Sequence, residues 1–503
     1  MILVLTVSIV RLLSCPFVLG DLPIHALTNE LVGNWKVYLT NTHSEKFLNC
    51  GGSSPNNNSS NLHHSLNDYK RFLLDKYGKL TEYDVNFTVE RSVDHSLVFP
   101  RNKWKLLNIL DQKHNIIGHW TMVYDVGLNI RMCKIEAFGY LRYTKGNKDE
   151  CVDSGNGKNR SKDEFDCYKT DPTKIHIGWA RRDNGTFECF YGEKIGNVEG
   201  MGGSTVLFKN MSMDERFKVS GDNVTINSEA SHKYHLFGNQ VYACGRPYPM
   251  FKTESLPKNW KWSDLELDSS ETGNQGACGS CYALASIWAI EKRFEIGYKK
   301  MMNKTYRIEF DVNSLVRKSP YNQECKGGYP FLVGKDIKDF GIKALNPVFS
   351  DRFYVKDYNY VGGCYECTNE TLMMHEIYNF GPIVAAINAG PDFISHKKGI
   401  FEGETEIERK RFCDSPDTGL GGWEFTNHAV AIIGWGESEN DGKYWVIKND
   451  WGGDWGVNGY AKVRRGINLN GIESQAIYFD PDFESGGGNE ILTKNSRSTV
   501  HRT

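Results

Sequence analysis

From Gln275 the chain reads Gln-Gly-Ala-Cys-Gly-Ser-Cys-Tyr, then runs without a break into Ala-Leu-Ala-Ser-Ile-Trp-Ala-Ile-Glu291. Leu284, Ile287 and Trp288 recur at helical spacing, so a helix is predicted to begin at Cys281. This stretch constrains the chain more than any other, because it fixes a thiol at a helix N-terminus. Unpaired N–H groups and the helix dipole favour an anion there. The thiolate is the reactive form of cysteine, and the position is expected to lower its pKa. A nearby His would complete the activation by forming an ion pair.

A His in a suitable context lies 147 residues further on. Asn427-His428-Ala-Val-Ala-Ile-Ile-Gly434 sets His428 at the start of an apolar strand, and Tyr444-Trp-Val-Ile-Lys-Asn449 is a second strand ending in Asn449. Asp450-Trp451-Gly452 follows directly.

Upstream the texture differs. Asp21 to about Gly196 is rich in short alternating strands, such as Trp35–Leu39 and Lys174–Trp179, separated by turns like Asp183-Asn184-Gly185. This pattern predicts an antiparallel sheet or barrel. Within it, Gly146 to Glu164 is charged and Gly-rich and reads as a surface insertion. Asn197 to Ser255 has weak periodicity, glycines near Gly200, and Pro247 and Pro249, and reads as a connecting segment. Ser485 to Thr503 is polar and rich in Gly and Ser, and is expected to be disordered.

The 503 residues suffice for two or three domains at about 150 residues each. A formal net charge of −2 gives no reason to expect a nucleic-acid or membrane-surface partner. Arg409-Lys410-Arg411 is the sort of short basic cluster that sits in a solvated loop. Met1 to Val10 is almost wholly apolar, and Val18 and Gly20 suit signal peptidase, so residues 1–20 read as a signal peptide that leaves Asp21 first. Sequons at Asn57, Asn58, Asn86, Asn159, Asn184, Asn210, Asn223, Asn303 and Asn369 fall in polar, turn-rich stretches where a glycan could sit. Of the 13 cysteines, removal of Cys15 with the signal and of one reactive thiol leaves an odd number, so a further thiol is free or pairs between chains. Cys364-Tyr-Glu-Cys367 has CxxC spacing, but no second pair accompanies it and no metal site is expected. The chain has no fixed-period repeat, P-loop or dinucleotide fingerprint.

The Cys281, His428 and Asn449 segments together resemble the three active-site segments of papain-like cysteine peptidases, in which His and Asn follow the Cys by roughly 130–150 residues. The resemblance implies an α+β fold with two catalytic lobes, one helical and led by the Cys281 helix, the other β-rich and carrying His428 and Asn449. It assigns Cys281 as nucleophile, His428 as its proton partner, and Asn449 as the residue orienting the ring. Gln275 and the Cys281 N–H would form the oxyanion hole, and Trp451 would shield the Asn449–His428 bond. Cys325-Lys-Gly327-Gly328 resembles a segment whose cysteine pairs with the position of Cys278, its glycines leaving room for the substrate backbone. Asn427, beside the His, counts among the substrate-binding positions.

Longer stretches are similar to the cathepsin C (dipeptidyl peptidase I) branch: Leu256-Pro-Lys-Asn-Trp-Lys-Trp262, Gly327-Gly-Tyr-Pro-Phe-Leu332, Tyr360-Val-Gly-Gly363 and Gly471-Ile-Glu-Ser474. Leu31–Trp35 and Cys189–Gly196 look like its exclusion domain, which closes one end of the cleft so that dipeptides leave from free N-termini. The implied arrangement is a signal peptide at 1–20, a β-rich exclusion domain at 21–196, an activation segment at 197–255, a catalytic domain at 256–484 and a tail at 485–503. Asp21 would hold the substrate ammonium, Pro330 and Ile472 would line the S2 pocket, and Cys50 would pair with Cys189. A chloride ion is implied near Ser280 and Tyr360, although Phe331 stands where the branch has a Tyr, and no organic cofactor is implied. The branch also implies cleavage by an activating protease, near Arg409–Arg411 and within 197–255, a homotetramer, and a lysosomal or secreted location. The usual Ser after the catalytic Asn is replaced by Asp450, whose carboxylate would raise the His428 pKa if it points inward. Two other readings stay open: a papain-type endopeptidase with a long propeptide, and a catalytically silent binding protein of the same fold.

Overall fold

The computed structural model describes residues 26–145 apart from 27, 47 and 52–64, and residues 168–195, 256–262, 273–345, 351–403 apart from 366, 426–438 and 442–500, with side chains described to 494. The signal-like segment, Asp21, residues 197–255, Gly146–Glu164, Arg409–Arg411, and Cys15, Cys151, Cys167, Cys244 and Cys413 lie outside the described residues.

Alternating apolar side chains in the first part of the chain produce eight strands. They are β1 (Gly33–Leu39), β2 (Thr81–Val93), β3 (Lys105–Leu110), β4 (Ile116–Val123), β5 (Gly127–Met132), β6 (Ile135–Lys145), β7 (Tyr168–Arg182) and β8 (Phe187–Lys194). Each pairs antiparallel with the next, and β8 returns to β1 with Phe190 opposite Leu39, closing a barrel. Trp35, Phe87 and Trp120 meet in its interior with ring centroids 5.7 and 5.3 Å apart. A disulfide from Cys50, after β1, to Cys189 on β8 clamps the closure. Helix α1 (Leu66–Tyr77) starts at Ser65, which exchanges a capping-box pair with Asp68, and buries Tyr69, Leu73 and Tyr77.

The second unit is an eight-stranded sheet with helices packed on it. Its order is β10 (Val355–Tyr360), β16 (Ile477–Pro481), β11 (Ile383–Ile387), β13 (His428–Ser438), β14 (Gly442–Lys448), β15 (Tyr460–Arg464) and β12 (Ile400–Phe401), with β9 (Trp260–Lys261) also pairing β13. The run from His428 to Gly436 is buried throughout, as expected of a central strand covered on both faces. Helix α2 (Cys281–Met302) packs on β13 and β16; α3 (Pro330–Phe340) and α4 (Glu370–Phe380) complete the layer. Lys299 and Lys300 in the last turn of α2, and Asn303 with φ 53° beyond it, suit a helix C-terminus.

Two expectations fail. The tail expected to be disordered is helical over its described part: Gly486–Val500 forms helix α5. Its glycines serve close approach. A Cβ on Gly487 would lie 2.4 Å from the Phe353 ring and one on Gly488 2.0 Å from the Asp482 carbonyl oxygen. Asp482 accepts from the backbone N–H groups of Glu484 and Ser485, Tyr298 donates to the Gly488 carbonyl, and Ile491 is buried, so the helix is docked. The Asn369 sequon is not a surface turn either. Its side chain accepts from Leu372 N–H at 3.0 Å as the N-cap of α4 and is buried, leaving no room for a glycan.

A seam of buried charge joins barrel and sheet. Arg101, in the turn between β2 and β3, donates to both oxygens of Glu376 on α4 at 2.8 and 2.6 Å and also pairs with Asp480 on β16. Arg293 of α2 donates to Glu376 from the other side at 2.9 Å. Further along, Arg131 of β5 pairs with Asp357 of β10 at 2.8 Å, and Lys338 of α3 with Glu136 of β6 at 2.6 Å.

Candidate active site

The Cys281 segment enters α2 through a knot of tight turns. Cys278 is disulfide-bonded to Cys325, and Gly279 N–H donates to the Cys325 carbonyl at 2.9 Å. The same segment is stitched to the strand end after β14. Gln275 N–H donates to the Asp450 carbonyl at 2.9 Å, Asn274 bridges Trp451, and Gly452 N–H reaches the Gly273 carbonyl at 3.2 Å. Chain regions separated by more than a hundred residues are thereby held in register around the thiol.

His428 opens β13, and its Nε2 lies 2.7 Å from Asn449 Oδ1. The contact makes Asn449 an acceptor and fixes which ring nitrogen carries a proton when the imidazole is neutral. Trp451 stacks on the imidazole at 4.4 Å and 26°, and Phe393 and Trp455 cross its ring edge-on at 5.7 Å. The indole N–H of Trp451 donates to Gln275 Oε1 at 3.1 Å, while Gln275 Nε2 donates to the Cys278 carbonyl at 2.9 Å. One N–H of that amide therefore has a protein partner and the orientation of the group is set from both ends. Cys281 lies against the His428 strand, with the Ala429 N–H directed at its sulfur.

The expected lowering of the Cys281 pKa is not what its surroundings produce. Burial pushes the thiol up to about 12 and the Asp450 carboxylate adds to this, against the N–H groups of Ala429, Tyr282 and Cys281 itself. The helix N-terminus alone does not outweigh desolvation. Desolvation therefore opposes formation of the anion at this site. Asp450 does point inward: its Oδ1 is 3.6 Å from His428 Nε2.

The positions expected to bind substrate are held as follows. Gly327 has φ 123°, and a Cβ on Gly328 would come within 2.4 Å of Asn322 Oδ1, so a side chain at the first would be strained and one at the second would clash. Pro330 is buried at the first position of α3 and Ile472 is fully buried. Asn427 accepts from Ala389 N–H at 2.7 Å through its side chain. Of the three positions expected around a chloride ion, Phe331 and Tyr360 stack at 4.9 Å, and the Tyr360 hydroxyl accepts from Tyr124 N–H at 3.0 Å; Ser280 sits at the N-cap of α2 without a side-chain cap bond. Cys364 and Cys367 are disulfide-bonded to each other, and Cys133 is a free, exposed thiol.

Sequence reasoning missed Tyr124. This barrel residue reaches the segment before His428, its hydroxyl donating to the Thr426 carbonyl at 3.2 Å. It also missed Phe393 and Trp455, whose contacts link chain segments far apart and carry no local signal.

Residues 256–479 match the papain family cysteine protease, and residues 21–194 match the cathepsin C exclusion domain. Dipeptidyl aminopeptidase 1 of Plasmodium falciparum is 27% identical over 674 aligned positions, taking in 95% of this chain and 96% of that protein. Cathepsin C of Schistosoma mansoni is 35% identical over 249 residues, which span 46% of this chain and 52% of that protein. Pro-cathepsin H of Mus musculus is 28% identical over 261 residues, 50% of this chain and 73% of that protein.

Proposed function

We propose that this chain, which belongs to the papain family of cysteine proteases and carries a cathepsin C exclusion domain ahead of the peptidase, releases dipeptides from the free N-termini of peptides and proteins. The observation that carries this reading is the closed barrel docked on the peptidase by buried charge pairs, with Tyr124 reaching the His428 segment. An open-cleft endopeptidase has no use for such a stopper.

In the proposed mechanism the Cys281 thiolate attacks the scissile carbonyl carbon while His428 is protonated. His428 then gives its proton to the leaving amine, and an acyl-enzyme remains on the sulfur. Water, deprotonated by His428, hydrolyses it. Asn449 keeps the ring oriented. The Gln275 side-chain N–H and the Cys281 backbone N–H meet the oxyanion, charge that exists only in the transition state and intermediate. Asp21 would receive the substrate ammonium as the first residue of the exclusion domain, and Pro330 and Ile472 would face the second side chain. An oxidising compartment of the secretory route or the lysosome suits the disulfides. No helix among the described residues is long and apolar enough to cross a membrane.

Paired dipeptide reporters, one with a free N-terminus and one acetylated, test the reading. Cleavage of the free form alone supports it; equal cleavage of both overturns it in favour of an open-cleft endopeptidase. Trp451→Phe keeps an aromatic ring over His428 but removes the donor to Gln275. Its kcat is expected to fall about tenfold or more, with KM little changed, in steady-state assays.

A further inference from the structure

Asp450 has two carboxylate oxygens that are buried and without a hydrogen-bond partner. Its side chain and that of His428 are each 4% exposed, and its Oδ1 is 3.6 Å from His428 Nε2. The same nitrogen faces Asn449 Oδ1 at 2.7 Å. One edge of the imidazole thus meets two acceptors, one neutral and one ionisable. A buried carboxylate with no donor is costly to keep, and the same backbone would accept a neutral side chain.

The charged and titratable groups facing Asp450 are His428 from β13, Lys448 from the end of its own strand, and the Cys281 thiol from α2. Glu291 and Lys292 of α2 stand behind Lys448. Burial raises the Asp450 carboxyl above the usual range, and His428 and Lys448 pull it back. No other described carboxylate pairs with the imidazole.

We propose that Asp450 is a positioning residue that acts through His428, its carboxylate facing the imidazole edge beside Asn449 and displacing the working pH window of the Cys281–His428 pair upward. This rests on the peptidase reading above. The sign follows from charge alone. The lower edge of the window is formation of the thiolate, which a nearby carboxylate opposes. The upper edge is loss of the pair's remaining proton, and a nearby negative charge opposes that loss as well. Ionised Asp450 therefore moves both edges the same way, and Asn449, being neutral, orients the ring without doing so.

The experiment compares the wild type with Asp450→Asn and Asp450→Ser in the matured full chain. Two profiles against pH are recorded: the rate of Cys281 alkylation by iodoacetamide, and kcat/KM on the free-N-terminus reporter. Both edges are expected to move to lower pH by about one unit in each variant. Edges that coincide with the wild type, with or without a lower plateau, overturn the proposal, since a merely structural role changes height and not position. Removing an unpaired buried charge is expected to leave the thermal midpoint unchanged or higher, and the two variants guard against one misfolding. Alkylation does not depend on which peptide is cut. Equal cleavage of the acetylated reporter would thus refute dipeptide release alone, whereas unmoved edges with cleavage of only the free form would refute the role of Asp450 alone.

Discussion

Exchange of Cys281 for Ala is expected to lower kcat by about 10⁴-fold or more, with binding of substrate and the thermal midpoint little changed. The sulfur supplies the electron pair that becomes the acyl bond. Its surroundings do not depend on it: the turn at its N-terminal side is tied by the Cys278–Cys325 bond and the Gln275–Asp450 and Gly279–Cys325 hydrogen bonds. Loss of activity with an unchanged fold, read by single-turnover kinetics and circular dichroism, is the expected result. Retention of more than a small fraction of the rate would remove the thiol from the mechanism.

Glu376→Gln should have the largest effect on stability. The side chain is wholly buried between Arg101 and Arg293, and the substitution leaves these two guanidinium groups with a neutral amide and one part-exposed carboxylate, Asp480. Breaking one partner of such a buried arrangement costs about 3–5 kcal/mol, far more than a surface pair. A lower denaturant midpoint is expected, because the seam between barrel and sheet is lost with it. The same residue predicts an acid limit. Burial alone would raise the Glu376 carboxyl, but Arg101 and Arg293 hold it below the ordinary range. A carboxyl whose folded pKa is depressed contributes stability above its unfolded value and loses it as pH falls through the folded one. Glu136 and Asp357 act in the same sense. Burial pushes Glu291 up to about 8 and Asp336 up to about 7, and these oppose folding as pH rises from the unfolded carboxylate pKa toward those values. Stability is therefore expected to peak in mildly acidic solution, and Glu376→Gln should flatten the acid side of that curve.

The parts of this molecule that could be read from the sequence are those set by local spacing. The period of Leu284, Ile287 and Trp288 announces α2 at Cys281, although Leu284 and Trp288 are only half-buried on a helix buried over most of its surface, and the apolar run after His428 announces β13, a central strand whose burial writes itself into neighbouring residues. Trp35 to Leu39 announces a barrel strand in the same way. The seam could not be read. Arg101 looks like any surface arginine in a turn, and its partners lie 275 and 379 residues away. The C-terminal helix was misread because its glycines signal flexibility only where nothing packs on them; here Phe353 and Phe294 do. The thiol's raised pKa was missed because position on a helix is local, whereas desolvation depends on everything that folds over it.

A sheet that closes on itself has no free edge, and the barrel has none between β1 and β8. It cannot meet a peptide by lending it a strand, since every strand already has two neighbours. Its hold on a substrate has to come from side chains, loops or a chain end at its mouth, none of which belong to the wall. This divides the labour of inheritance. If the barrel is the stopper of the proposed reading, mutation can rewrite how many residues the cleft admits, or what sits at its far end, without touching the hydrogen-bonded cylinder. The barrel is thereby a part whose specificity can drift while its shape is conserved.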